Sequence, residues 1–214
     1  MIRTLIMTVF FAAGAIAQDG DTKLKQDAPA KGGLILAVSL KGGHTNDQWN
    51  TGQEWPFTLE GESPVPYSVI AKLMPGEKKD EPVELGGAAD FFAYFAKGIS
   101  DKQNSSEVAK VTGKLLGKIK EQTGSKTVVA LSGKMKFEWP IQGNTFWIEG
   151  QEIEGTLTLE GGKAVALEIG SKKSKTGGTW DWGGGGTPMG GKVSAFSIKM
   201  SKTTDKEIKV PGKE

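Results

Sequence analysis

The sequence predicts a mostly β protein of the α+β kind. We expect an antiparallel meander sheet, curved or half-barrel-like, with two helices inserted between a three-strand segment and one of about six strands. Three observations lead there. From Lys126 onward apolar residues recur at every second position, the period of a strand with one covered face. The paired turn residues Gly143-Asn144 and Gly161-Gly162 divide that run into hairpins. Between Ala88 and Gly124 the apolar spacing lengthens toward that of helices.

The elements follow in order. Residues 1–17 read as a signal peptide: Arg3, the apolar run from Leu5 to Ala13, then Ala15-Ile16-Ala17 with small residues where a signal peptidase cleaves. The run is too short to span a bilayer, which takes about 20 apolar residues. No later segment is long and apolar enough either, so no transmembrane segment is expected in the mature chain. Residues 18–33 are polar and aperiodic, a flexible leader. Residues 34–214 form one β-rich domain, with a helical insert near 88–124.

Leu34 to Leu40 is the first strand, and Trp55–Glu60 and Tyr67–Met74 are the next two, punctuated by Pro64 and Pro66. Phe91, Phe92, Tyr94 and Phe95 mark a short buried helix from Ala88 to Lys97. A second helix is expected up to Gly124, with Asn104 and Glu107 as a capping box and Val108, Val111, Leu115 and Ile119 as its apolar stripe. Four meander strands then run to Ile169, with Val165, Leu167 and Ile169 on the covered face of the last. A glycine-rich loop from Ser171 to Gly191 leads to a strand over Ser194–Met200 and a short closing strand at Glu207–Val210. Glu-Trp-Pro occurs after an aliphatic strand twice, at Glu54 and Glu138, either as an old duplication or as coincident strand composition.

Composition excludes several function classes. Loss of Arg3 with the signal leaves 26 basic residues against 25 acidic ones and no arginine at all. Such a chain has neither the basic field nor the guanidinium forks of a nucleic-acid binder, and no nucleic-acid partner is expected. With 0 cysteines there is no thiol catalysis, no thiolate metal site and no disulfide, although an exported protein is allowed them. The localisation expected from the signal is periplasmic or extracellular.

His44 is the one histidine, so no multi-histidine metal site is possible. A serine triad would have to use it, and no Gly-x-Ser-x-Gly elbow accompanies it. Asp19-Gly20-Asp21 lacks the glutamate that a calcium loop needs. Gly186 to Val193 approaches a phosphate loop, but Val193 stands where Ser or Thr would hold magnesium and a strand follows instead of a helix. No catalytic residue, metal or cofactor is therefore assigned. The enzyme alternative is a carboxylate-dependent glycan hydrolase, which needs only two acids. Glu54, Glu138 and Asp181, each beside a tryptophan, are its candidates. Lys110, Lys114 and Lys118 form a basic row four residues apart, either a solvated face or an attraction for an acidic partner or phospholipid headgroup.

The 6 tryptophans stand against only 2 tyrosines. Trp147 has the opposite parity to Phe146 and Ile148 and so lies on the polar face of its strand. Trp180 and Trp182 open the glycine-rich loop and would share one side in extended chain. These three are the candidate ligand-binding residues, against the alternative that they cover sheet edges. The sequence thus predicts an exported, non-enzymatic β-rich protein with a binding or structural role, its ligand a lipid inside the curved sheet or a polysaccharide on exposed tryptophans.

Overall fold

The structure, a computed structural model, describes residues 30–46, 54–76, 81–100, 110–141, 144–180, 187–191, 195–209 and 211. The expected signal peptide and most of the expected leader lie outside them. Strands β1 (Ala30–Asn46) and β2 (Glu54–Pro66) come first, then α1 (Tyr67–Ala71), β3 (Val83–Glu84) and α2 (Ala88–Ser100). Six strands follow: β4 (Lys110–Thr123), β5 (Lys126–Ile141), β6 (Asn144–Glu160), β7 (Lys163–Trp180), β8 (Thr187–Gly191) and β9 (Ala195–Ile208). The fold is thus mostly antiparallel β with two inserted helices; α1 precedes β3, so only α2 separates the three early strands from the six late ones.

Every pairing is antiparallel, in the order β2-β1-β8-β7-β6-β5-β4-β3, with β9 also between β1 and β7. The register of Trp180↔Thr187 to Thr176↔Gly191 is the same as that of Ser171↔Phe196 to Glu168↔Lys199, so β8 and β9 share one lane beside β7. The sheet is curled and not closed. Phe137 on β5 and Phe196 on β9 have ring centroids 5.7 Å apart, although three strand spacings of about 4.8 Å separate their strands in a flat sheet. Helix α2 lies along the opening and touches both β2 and β4, the strands near its two margins.

An apolar run makes α2 and also makes it the core. Phe91 to Ala96 are all buried, and Asp90 in the first turn suits the positive end of the helix dipole. Phe92 and Phe95 each meet Phe137 and Phe196 with centroids 5.2–6.2 Å apart, at tilted to edge-on angles. Polar contacts also hold the helix: buried Ser63 on β2 donates its hydroxyl to the Tyr94 carbonyl, and Lys72 pairs with Asp90 at 2.8 Å.

Several expected elements differ. Residues 67–71 are helical, because Pro66 ends β2 in extended conformation and Val69, Ile70 and Leu73 then recur at helical spacing on the buried side. The second helix expected up to Gly124 is strand β4 from Lys110 onward; its proposed cap, Asn104 to Glu107, lies outside the described residues. A spacing of four satisfies both periods. Val111, Leu115 and Ile119 share a strand face with Gly113 and Gly117, which carry no side chain to reveal the period of two.

The expected leader ends earlier, since Ala30 to Gly33 already belong to β1. Residues 144–160 form one strand instead of two, a bulge after Gly150 carrying the buried face from Ile148 to Ile153. A register shift near Leu159 buries Ala164 and leaves Val165 42% exposed. Much of the expected glycine-rich loop is strand: β7 runs to Trp180, and β8 covers Thr187–Gly191. The closing strand is the end of β9.

Candidate functional site

The parity of β6 points Ile148 into the core and Trp147 outward, onto the convex face. Trp147 pairs with Glu138 on β5 and with Gly177 on β7. The half-buried indole lies over Gly177: a Cβ there would come within 2.7 Å of Cε2 and 2.9 Å of Nε1. No other residue type leaves that space. Glycine deprives a strand of side-chain cover, and a neighbouring aromatic ring restores it.

Lys136 stands on the other flank, its Nζ 5.3 Å from the centre of the Trp147 ring, within cation–π range. The same ammonium pairs with Glu138 at 2.6 Å. One step along the sheet, Lys136, Glu149 and Lys175 lie opposite one another on β5, β6 and β7. The indole is thus flanked by Lys136 and Glu138 on β5, with Glu149 and Lys175 one step along the sheet. Such a site can offer an apolar ring face to a flat apolar patch while its rim bonds hydroxyls.

The other predicted site residues do not join it among the described residues. Trp180 is the last residue of β7, paired with Thr187, and its side chain lies outside the described residues, as does all of Trp182. Of the proposed catalytic acids, Glu138 is engaged by Lys136; the side chain of Glu54 and the whole of Asp181 lie outside. Among the described residues no group of three or more His, Asp or Glu is placed to hold a metal ion. No described helix is long and apolar enough to cross a membrane. The expected basic row Lys110, Lys114 and Lys118 lies on β4, spread along the convex face.

Sequence reasoning missed Gly177 and Lys136. Lys136 was within reach, since it shares the polar parity of Glu138. Gly177 was not: counting back from the Gly161-Gly162 turn sets Thr176 opposite Trp147, and only the bulges between β6 and β7 advance the register by one. Compared with protein-family models, with curated proteins and with solved structures, the chain matches none.

Proposed function

We propose that this chain is an exported, non-enzymatic binding domain that holds a polysaccharide on the convex face of its sheet, with Trp147 as the stacking residue. The observation that carries the reading is the indole laid over Gly177 among charged neighbours on a polar face. An aromatic ring held rigid by backbone loses little entropy on binding, and the charged rim supplies bonds to sugar hydroxyls.

A surface site is favoured over an enclosed lipid because the concave side is already filled. Phe92, Phe95, Phe137 and Phe196 pack against one another where such a ligand would lie. The export signal at residues 1–17 is part of the same proposal, because the ligand would be met outside the cytoplasm.

Tryptophan fluorescence, titrated with soluble polysaccharides and separately with dispersed lipid, tests it. A saturable change with polysaccharide alone, lost in Trp147→Ala, is expected. A change with lipid alone would move the site to the interior and contradict the proposal.

A further inference from the structure

We infer that the polysaccharide is anionic and is held beyond Trp147 by a lysine strip on β4 and β5; this rests on the Trp147 reading. The pairings Lys110↔Glu138, Lys114↔Lys134 and Lys118↔Ala130 put the even-numbered residues of both strands on the convex face. That face carries Lys110, Lys114 and Lys118 on β4 and Lys134 and Lys136 on β5. Glu84 pairs with Lys114 at 2.9 Å, and Glu138 with Lys136 at 2.6 Å.

Lys118 and Lys134 have no ion pair among the described residues. Lys134 also stands directly across from Lys114, and like charges opposed on adjacent strands are unfavourable. An anion between them relieves that repulsion. Of the acids on the next two strands, Glu152 pairs with Lys173 and Glu168 with Lys199, while Glu149 lies opposite Lys136 and Glu154 opposite Ser132.

Strip and indole are continuous. Lys136 belongs to both, and Lys110, Glu138 and Trp147 lie in line across β4, β5 and β6. Successive lysines on β4 are about 13 Å apart, so the strip follows an extended chain and does not enclose one compact ion. Charge complementarity therefore selects a glycan with repeated carboxylate or sulfate groups, held by salt-sensitive attraction while the ring supplies stacking.

The test measures binding of the mature protein to dextran, dextran sulfate and alginate at about 50 mM and about 500 mM NaCl. Wild type, Lys118→Gln/Lys134→Gln and Trp147→Ala are compared, with Tm as a check on folding. The expected result is a preference of about tenfold or more for an acidic polymer, lost at high salt and lost in the double-lysine variant at unchanged Tm. Dextran sulfate alone would name sulfate, alginate alone carboxylate, and both simple charge. Equal binding of dextran and the acidic polymers overturns the lysine strip and leaves the Trp147 reading standing. An acidic preference that survives in the double-lysine variant also overturns it. Loss in that variant with none in Trp147→Ala removes the stacking role and upholds the strip. Binding of no polymer overturns both.

Discussion

A Cβ on residue 177 would come within 2.9 Å of the indole Nε1, closer than real contacts allow, so even alanine must displace the ring of Trp147. Gly177→Ala is expected to weaken polysaccharide binding by about tenfold or more while the protein still folds. Calorimetric titration beside a thermal melt checks this, and unchanged affinity would mean that the ring's position on the sheet does not matter. In the core, Phe92 meets Phe91, Phe95, Phe137 and Phe196 at once. Phe92→Ala should cost about 3–5 kcal/mol in urea unfolding, the combined effect of lost burial and a cavity that its neighbours cannot fill. A loss under about 1 kcal/mol would contradict the packing described. Single residues were unevenly legible. The outward parity of Trp147 followed from its neighbours, but its glycine partner depended on bulges, which leave no mark in a periodicity.

Among the elements, β4 separates sequence from structure most sharply. Apolar residues at 111, 115 and 119 fit a helix and a strand equally, and glycine at 113 and 117 removes the side chains that would decide between them. Gly113 has φ +118°, and a Cβ there would run into the Lys134 backbone, so the strand depends on glycine at that position. Hydrogen exchange distinguishes the alternatives. On β4 the amides facing β5 should be protected at every second residue, with added cover where β3 pairs at Leu116 and Gly117. Protection of consecutive amides from Val111 to Ile119 would be the signature of a helix and would contradict the strand. By contrast α2 was legible, because its apolar residues are too continuous for a half-covered strand and Gly86-Gly87 precedes them. The short α1 was hidden by its β-branched residues, and Pro66 was the only signal of the change.

For the molecule as a whole, the antiparallel order of β4 to β7 could be read from turns and alternation. The curl of the sheet could not, because it arises where α2 brings Phe137 and Phe196 together across two intervening strands. Helix α2 reaches both β2 and β4, and Gly98 allows it close to Ser63 and Val38, 3.0 Å from where a Cβ would stand. Phe95→Ala should therefore accelerate amide exchange on β2 and β4 together. Faster exchange confined to α2 would mean that the helix does not tie the two margins. Pro56, Pro64 and Pro66 on β2 suit an edge strand that must not recruit another. The convex face is where the proposed ligand meets the fold.

The most direct measurement of that claim is the proton–nitrogen spectrum of the indole groups in the protein, titrated with soluble polysaccharide. With 6 tryptophans the spectrum has few resonances, and the one missing in Trp147→Phe identifies the residue. We predict that this resonance moves first and saturates with the ligand, in step with the bound fraction measured by calorimetry. Saturable binding that leaves it in place while other indoles move would contradict Trp147 as the stacking residue.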